Sequence, residues 1–423
     1  MLKRISPSQV EIGMFVHKLE GSWLKHPFWK TKFVLVDPIT LDDLRDAEID
    51  AVVIDISRGS DITPRPTSAA IYDDARRVAR VRAAQSRAPL TKPAMFDFKS
   101  TAAQTTAREF GHASKIAERG HRIVSKAFFE ARLGKTVRVE AVEPVIEEIF
   151  ASVQRNPHAF NGLMRCKHKN EYLYQHSLAC AALMVTLARA LKLSPGEIRE
   201  AGLAGLLFDV GVNHLPVDLQ AVGGDHRRLP HAVLAAHTML GYNFLSASGL
   251  PERIGQVALH HHERIDGSGY PDGQIGDGIP LLSRMAAICD AYDELASGTS
   301  GGKMIDPGAA LQTMSETAGK FDPVIFAAFV QCIGTFPIGT FVELRSARLA
   351  MVIDQHHTDY ARPKARTFYS LNTGERVRAE VIDLANCAGV DAIVGLADLR
   401  RFKPEDVIEL RKRMLATAAK AAA

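Results

Sequence analysis

Two adjacent histidines in the second half of the chain, His261 and His262, are closely followed by an acid, two glycines and a Tyr-Pro pair. Each imidazole can offer one nitrogen to a metal, and borderline divalent metals favour histidine together with carboxylate. The segment from Asp266 to Pro271 is typical of a rigid loop, because its glycines tolerate positive φ and its proline fixes the exit of the chain. A metal beside such a loop predicts binding or hydrolysis of a phosphate ester.

The block from His261 to Pro271 resembles the signature of the HD-GYP family, bacterial metal-dependent phosphodiesterases that act on cyclic di-GMP. The resemblance covers about residues 145–345, and the stretch from Ile5 to Ile56 is similar to a small domain that precedes HD-GYP in one bacterial subgroup. Within the first range, four further segments follow the family's order, and each carries one candidate ligand: His176, Asp209, His237 and Asp290.

This resemblance implies a site for two divalent ions. Asp209 is the catalytic residue that bridges both ions, and His176 and Asp290 complete one of the two sets. The other ion is held by three imidazoles, those of His237, His261 and His262. Iron or manganese fits this combination of histidine and carboxylate better than zinc. Tyr172 stands where some members carry a Glu for a third ion, which argues for at most two ions.

The loop residues have a role in the family as well. The resemblance implies that the loop lines the site and contacts GGDEF-domain proteins, and glycine lets the backbone approach a ligand closely. The loop residues assigned to the site are Gly267, Gly269, Tyr270 and Pro271.

The chain departs from the family at three places. Phe208 stands where a His of the family binds metal, and Val212 stands where a Lys contacts phosphate. The family's Thr-Ser-Asp-Arg-Pro-Tyr-Arg is replaced by residues 296–303, which leaves Lys303 as the phosphate contact. A phenyl ring has no lone pair for a metal, so the ion bound by His176 is expected to be weakened. His214 is the nearest alternative imidazole, but its place along the turn predicts that it points elsewhere.

Two functions therefore stay open from the sequence. One is a cyclic di-GMP phosphodiesterase with an impaired metal site, because hydrolysis by two metals depends on both ions. The other is a catalytically inactive regulator that binds nucleotide or partner proteins. A hydrolase of another cyclic dinucleotide is a third option, since the loss of phosphate-contacting residues is also compatible with an altered substrate.

The remaining histidines are interpreted as structural or surface residues. His260 is expected to support the site without binding metal. The pair His356 and His357 has only Asp354 and Asp359 nearby and is interpreted as a surface loop. The same interpretation applies to four scattered residues, His158, His168, His226 and His231.

Composition limits the other possible functions. Of the 423 residues, 46% are hydrophobic and 24% charged, which is typical of a soluble globular protein. A net charge of +4 gives no reason to expect DNA as a partner but suits an anionic ligand. The five cysteines lack CxxC spacing, and no segment resembles a secretory signal or a membrane span. These features predict a cytoplasmic protein with reduced thiols, and a homo-oligomer is compatible with them.

The elements that position these residues are predicted to be mainly helical. Residues 102–155 have few helix breakers. A further helix is predicted to begin at Tyr174, and its apolar side is formed by Leu178, Leu183, Val185 and Leu187. Ser194 with Glu197 predicts a capping box for the next helix, which leads to Phe208 and Asp209. The fold class is therefore an HD-type helical bundle with a small N-terminal α+β domain and a small β-containing C-terminal extension.

The domain boundaries follow from changes in composition. Residues 1–57 alternate like strands, with a helix predicted to begin at Thr40, and residues 58–100 are a Pro- and Arg-containing linker. Residues 101–340 are the helical HD-GYP domain. Residues 341–423 are a β appendage with strands near Thr340–Leu344, Leu349–Ile353 and Thr367–Leu371, followed by a C-terminal helix from about Pro404 to Ala419.

Overall fold

The contacts within a computed structural model divide the chain into two compact units, Met1–Asp97 and Phe98–Ala423. Lys303 and residues 60–100 of the predicted linker lie outside the part of the chain that the structure describes. The boundaries after residues 57, 100 and 340 stay predictions. The described residues are 2–11, 13–20, 33–35, 41, 51–59, 104–164, 172–217, 219, 225–297, 305–317, 319–356, 359–387, 389–400, 402 and 404–420.

The first unit contains a four-stranded antiparallel sheet in the order β1-β4-β2-β3. Its core is formed by apolar side chains that include Val16, Val52 and Ile54, as the alternating sequence predicts. The helix predicted from Thr40 lies outside the described residues, apart from Leu41. The strands are β1 (Leu2–Ile5), β2 (Phe15–Glu20), β3 (Phe33–Val34) and β4 (Ala51–Asp55).

The second unit is mainly helical, which confirms the predicted fold class. No helix among the described residues has the length and apolar character to cross a membrane. Among the described residues, three 3₁₀-helices interrupt the series of α-helices: Phe208–His214, His226–Arg228 and Gly276–Gly278. The α-helices are α1 (Thr106–Arg132), α2 (Val139–Arg155), α3 (Ala159–Met164), α4 (Tyr172–Ala190), α5 (Pro195–Leu207), α6 (His231–Leu234), α7 (Ala236–Ala247), α8 (Glu252–His260), α9 (Leu281–Ser297), α10 (Pro307–Glu316), α11 (Pro323–Ile333) and α12 (Pro404–Lys420).

Helix α4 is the central helix of this bundle. It contacts α1, α2, α5, α9 and α11, so nearly all of its side chains from His176 to Ala188 are buried. The single apolar side predicted for this helix is therefore too narrow, since small residues such as Cys180 and Ala181 face its neighbours on the other sides. The predicted capping box before α5 is confirmed, with the Ser194 backbone N–H donating to Glu197 Oε2 at 2.9 Å.

The C-terminal sheet packs on the helices through a shared apolar core. Its strands run in the order β10-β5-β6-β7-β8, with β9 beside β7 and antiparallel pairing throughout. Phe110 of α1, Phe341, and Met414 of α12 belong to one buried cluster. The predicted strands and C-terminal helix are confirmed. The strands are β5 (Phe341–Leu344), β6 (Arg348–Asp354), β7 (Lys364–Ser370), β8 (Glu375–Arg376), β9 (Val381–Asp383) and β10 (Ile393–Leu396).

Candidate metal centre

Asp209 lies at the centre of a buried cluster of imidazoles and carboxylates. It is on the 3₁₀-helix that directly continues α5, and it is only 4% exposed. Its Oδ1 lies 3.3 Å from Nε2 of His237 and 3.5 Å from Nε2 of His261. Its Oδ2 lies 3.4 Å from Nε2 of His176. One carboxylate therefore faces two separate groups of potential ligands.

His237 and His261 form the first group. His237 is in the first turn of α7, and His261 is the C-cap residue that directly follows α8. Nδ1 of His237 donates to the Leu234 carbonyl at 2.5 Å, and Nδ1 of His261 donates to the Ala258 carbonyl at 3.0 Å. The two Nε2 atoms, 3.1 Å apart, then carry lone pairs that face each other. A cation between them removes this repulsion, so the arrangement fits a divalent metal.

His176 and Asp290 form the second group. Nε2 of His176 lies 3.1 Å from Oδ1 of Asp290, while its Nδ1 donates to the Asp293 carboxylate at 2.7 Å. Oδ2 of Asp290 is buried without a hydrogen-bond partner among the described residues. Together with Oδ2 of Asp209, these atoms offer one nitrogen and carboxylate oxygens, a set that suits iron or manganese.

His262 lies between the two groups. One of its ring nitrogens is within 4.8 Å of ligand atoms of both His237 and His261, and its Nδ1 is 3.5 Å from Oδ2 of Asp290. All six residues predicted to bind metal are therefore close together, although they come from four different helical elements and the turn after α8.

Two glycines allow the segment that carries Asp209 to lie directly on α7. A Cβ atom at Gly211 would be 1.9 Å from the carbonyl oxygen of His237 and 2.5 Å from the backbone nitrogen of Gly241. Any side chain at position 211 would therefore separate the two backbones. This close backbone contact brings Asp209, at the start of the 3₁₀-helix, next to His237 in the first turn of α7.

The charges of the cluster favour a bound cation. Burial alone would raise the pKa of Asp209, but the adjacent imidazoles of His237, His261 and His176 hold that pKa well below its usual value. Burial alone would lower the pKa of His237, and Asp209 raises it above the ordinary value instead. For His262, burial and the neighbouring imidazoles lower the pKa. Asp209 is thus ionised near neutral pH, and its negative charge attracts whatever cation is present.

Phe208 is inside the site rather than beside it. Its ring centroid lies 4.5 Å from that of His261, nearly parallel, and 5.9 Å from that of His176, nearly perpendicular. The phenyl ring of Phe208 therefore lies between His176 of the second group and His261 of the first. Val212 is buried in the main apolar core and brings no charge to the site. His214 packs against Phe244 away from the cluster, as the sequence predicts.

The loop after His262 is fixed by backbone contacts that require glycine. Gly267 has φ of +79°, and a Cβ at Gly269 would lie 2.4 Å from the backbone nitrogen of Arg264. Tyr270, joined to Pro271 by a cis peptide bond, stacks on His262 with ring centroids 4.7 Å apart. Gly267, Gly269, Tyr270 and Pro271 therefore lie next to the cluster.

Glu263 holds this loop in place, although it was not among the predicted site residues. Its buried carboxylate accepts hydrogen bonds from the backbone nitrogens of Asp272 at 2.8 Å and Gln274 at 3.0 Å. His260 contacts the same segment, with Nε2 3.1 Å from the Asp272 carboxylate. His260 thus supports the loop and is not among the clustered ligands, in agreement with its predicted role.

Asp293, Cys180 and His226 are further residues near the cluster that were not assigned to the site from the sequence. The i,i+3 spacing of Asp290 and Asp293 in a helix could have indicated Asp293. The interpretation of His226 as a surface residue is wrong, because this residue is only 5% exposed. Burial lowers its pKa to about 4. In the sequence it is surrounded by Asp225, Arg227 and Arg228, a composition typical of a solvated turn, so no local signal identifies it.

Comparison with known proteins supports the same assignment over most of the chain. A model described as a domain of unknown function, DUF3391, matches residues 2–142, and one described as an HD domain matches residues 164–325. The cyclic di-GMP phosphodiesterase PA4108 of Pseudomonas aeruginosa is 38% identical over 413 residues, which are 97% of this chain and 94% of that protein.

More distant similarities cover parts of the chain. The 3'3'-cGAMP-specific phosphodiesterase 1 of Vibrio cholerae is 27% identical over 218 residues, 51% of this chain and 47% of that protein. The solved structure of Bd1817, an HD-GYP protein from Bdellovibrio bacteriovorus, is 14% identical with a TM-score of 0.44, and the match covers 78% of this chain and 99% of that one.

Proposed function

The chain belongs to the HD-GYP family of HD-domain proteins, and from this premise we propose that it is a metal-dependent phosphodiesterase that hydrolyses cyclic di-GMP. The observation that carries the proposal is the position of Asp209. Its two carboxylate oxygens face different ligand groups, His237 with His261 on one side and His176 on the other. A bridging carboxylate is the arrangement that two neighbouring divalent ions require.

We propose two ions, with the site near Phe208 the weaker one. His176, Asp209 and Asp290 would hold one ion, and Asp209, His237, His261 and His262 the other. Iron or manganese is favoured, because the donors are nitrogen and carboxylate oxygen without thiolate among the proposed ligands. Bound divalent ions would acidify a water molecule and neutralise phosphate charge.

The side chains contribute orientation and charge to this reaction. Hydrolysis joins the oxygen of water to phosphorus, breaks the bond from phosphorus to a ribose oxygen, and transfers a proton to that oxygen. Asp209 stays ionised because its pKa is held low. The carbonyls that accept from Nδ1 of His237 and His261 keep both Nε2 atoms available as ligands. The expected product is the linear dinucleotide or GMP.

Cyclic di-GMP is proposed as the substrate because the Pseudomonas aeruginosa relative is named a cyclic di-GMP phosphodiesterase, and the match covers nearly the whole length of both proteins. A related cyclic dinucleotide is the next candidate, since a relative from Vibrio cholerae is named for 3'3'-cGAMP. The loop Gly267–Pro271 is proposed to line the substrate site. Contacts with GGDEF-domain proteins, phosphate binding by Lys303, a homo-oligomer and a cytoplasmic location stay predictions.

A catalytically inactive regulator is the alternative, and two observations favour it. The Phe208 ring occupies the space between His176 and His261, and Val212 is buried without a charge where the family has Lys. Such a protein would bind the nucleotide without hydrolysing it.

The decisive experiment measures metal content and turnover of cyclic di-GMP on the full chain purified without oxygen. The wild type is compared with Phe208→His, which restores the missing imidazole, and with Asp209→Asn, which removes the bridging charge. We expect two ions per wild-type chain and measurable turnover. Asp209→Asn should lower turnover by about a hundredfold or more, because both ions depend on it.

The outcomes separate the two functions. Wild-type turnover with two ions excludes the inactive regulator. Absence of wild-type turnover, with activity restored by Phe208→His, contradicts the phosphodiesterase proposal and supports the regulator. Circular dichroism on each variant controls for folding.

A further inference from the structure

A cavity of about 310 Å³ lies in the C-terminal part of the second unit, and none of the proposed metal ligands lines it. It is bounded by the hairpin of β7 and β8 on one side and by α12 on the other. Small-molecule sites have volumes of about 300–1,000 Å³ and combine an apolar lining with a few polar groups. The cavity is at the small end of this range, so it suits one compact ligand.

Aromatic rings form the apolar part of the lining. The ring centroids of Tyr369 and Phe402 are 5.4 Å apart and nearly perpendicular, and Phe368 lies 6.2 Å from Phe402. Tyr369 is fixed in place because its hydroxyl donates to the Gly374 carbonyl at 2.7 Å, in the turn between β7 and β8. Phe402 is only partly buried, which leaves part of its ring for a further planar group. An aromatic ligand can therefore stack in this cavity.

Two arginines of the hairpin bring positive charge to the same cavity. Arg376 pairs across the hairpin with Tyr369, and Arg366 lies on the same strand as Tyr369. Arg348 of the neighbouring strand β6 is neutralised by Asp391 at 3.2 Å. In the part of the chain that the structure describes, by contrast, neither Arg366 nor Arg376 has a carboxylate within 4.0 Å. Guanidinium groups bind phosphate through paired hydrogen bonds, so these two arginines favour a phosphorylated ligand.

The wall formed by α12 carries carboxylates. Asp406 and Glu409 are one turn apart and exposed, and Arg413 follows one turn later. Together with the two arginines of the hairpin, the lining has three guanidinium groups and two carboxylates, so it remains positive. An ionised carboxylate only accepts hydrogen bonds. Guanine presents a ring N–H beside its amino group, whereas adenine presents a ring acceptor there, so this wall favours guanine.

We propose that this cavity is a binding site for a guanine mononucleotide. Its phosphate lies at Arg366 and Arg376, and its base lies against Phe402 with its donor edge towards the carboxylates of α12. A mononucleotide has one base and one phosphate, which matches one aromatic wall and one pair of arginines. GMP is the mononucleotide that the proposed phosphodiesterase reaction can release. Only this source of the ligand rests on the proposed function, and the binding itself does not.

The test is calorimetric titration of the full chain with GMP, on the wild type and on Asp209→Asn, which disables the proposed metal centre. We expect one GMP to bind to Asp209→Asn with the affinity of the same site in the wild type. Arg366→Gln and Arg376→Gln should each lower this affinity by about tenfold or more, because each removes charge-assisted hydrogen bonds to the phosphate. Arg376 is exposed, so its substitution decides the question where Arg366→Gln does not fold.

Arg378→Gln is the matched control, because Arg378 is an exposed arginine two residues after Arg376 that does not line the cavity. It should change the affinity for GMP by less than about twofold, since it removes the same charge without a phosphate contact. Guanosine and inorganic phosphate, titrated separately, should each bind at least about tenfold more weakly than GMP, because each makes only part of the contacts.

The preference for guanine has its own variant. We expect GMP to bind about tenfold more tightly than AMP, because adenine places a ring acceptor where guanine has a donor. The double variant Asp406→Asn with Glu409→Gln should reduce this ratio to about twofold or less, since an amide can also donate to adenine. A ratio that does not change would contradict the role of the α12 carboxylates.

Four further results would overturn the inference. They are no binding of GMP up to about 1 mM, equal affinities of Arg376→Gln and Arg378→Gln, equal affinities for GMP and AMP, and phosphate binding as tight as that of GMP. Turnover of cyclic di-GMP by the wild type is measured separately. Turnover without GMP binding at this cavity would leave the proposed function intact, and arginine-dependent GMP binding without turnover would leave this site intact.

Discussion

At the scale of single residues, Asp293 determines which nitrogen of His176 can bind a metal. Its Oδ2 lies 2.7 Å from Nδ1 of His176, and both side chains are fully buried. A carboxylate accepts hydrogen bonds and does not donate them when ionised, so Nδ1 carries the proton. Nε2 is then left as the lone-pair donor towards Asp209 and Asp290.

Replacing Asp293 should therefore weaken metal binding although this residue is not itself a proposed ligand. We expect Asp293→Ala to lower the affinity for one Mn²⁺ ion by about 10- to 100-fold, because the imidazole loses its fixed orientation and tautomer. Asp293→Asn, which keeps one acceptor oxygen, should lose less. Calorimetric titration of the metal-stripped chain measures both.

Ser297→Ala is the control for this substitution. Ser297 donates to the other oxygen of Asp293 at 3.2 Å, so its removal disturbs the carboxylate without freeing His176. Equal losses for Asp293→Ala and Ser297→Ala would contradict the role assigned to the contact with His176.

At the scale of elements, the loop after α8 depends on the small volume of Gly269. A Cβ there would lie 2.4 Å from the backbone nitrogen of Arg264 and 2.5 Å from the backbone of both Glu263 and His262. These are backbone atoms and cannot move aside as a flexible side chain does. A larger residue must therefore displace the loop, and Tyr270, which stacks on His262, with it.

Gly269→Ala should lower the turnover of cyclic di-GMP by about a hundredfold, because a displacement of roughly 1 Å at a reacting centre has an effect of this size. Steady-state kinetics on the full chain measure the change. Gly278→Ala is the matched control, since a Cβ at Gly278 meets no atom within 4 Å. Similar turnover in the two variants would show that the close backbone contact at Gly269 is not required.

The sequence predicts those elements that are determined by local interactions. The start of α5 was predictable because Ser194 and Glu197 satisfy each other's backbone groups three residues apart. The strands of the C-terminal sheet were predictable from short apolar runs. The prediction of a single narrow apolar side for α4 was wrong. This helix is buried on every side because several other helices surround it, and the sequence of α4 alone does not reveal their number.

The difference between local and tertiary interactions applies to the candidate site as well. The clustered ligands were predicted by resemblance to a family, and their convergence is a property of the tertiary fold rather than of any one segment. His226 could not be selected, because its charged neighbours Asp225 and Arg227 are typical of a surface turn and only packing on Tyr172 buries it. Glu263 has a similar explanation, since its partners are backbone nitrogens that no pattern of side chains reveals.

At the scale of the whole molecule, the start of α1 connects the helical bundle to the C-terminal sheet. Thr106 donates to Asp354 at the end of β6, and Phe110 belongs to the apolar cluster that contains Phe341 and Met414. Between them, Glu109 is directed towards α2. The appendage and the bundle therefore share one helix turn, which explains why residues 98–423 form a single compact unit.

The stability of this unit should depend on pH through Glu109. Its fully buried carboxylate accepts from Ser152 at 2.7 Å and from Arg155 at 2.7 and 2.8 Å. Burial alone would raise the pKa of Glu109, but these hydrogen bonds and the charge of Arg155 hold it below the ordinary value of 4.5. A carboxyl group with a lowered pKa in the folded state stabilises the fold above the unfolded pKa, and this contribution is lost as the pH falls through the folded value.

Glu109→Gln should therefore lower the free energy of unfolding at pH 7 by about 1–3 kcal/mol, because Arg155 keeps its charge without the paired carboxylate. The difference from the wild type should shrink as the pH falls from about 4.5 through the lower pKa that Glu109 has in the folded state, because the folded wild type then takes up a proton at this carboxylate. Urea unfolding followed by far-UV circular dichroism at pH 7 and at several lower pH values measures the effect, since the helical signal comes mainly from this unit. Glu143→Gln, an exposed position on α2, is the control and should follow the wild type at every pH. A destabilisation by Glu109→Gln that stays constant down to pH 3 would mean that the ionised carboxylate contributes nothing, and that only the shape of the side chain matters at this junction.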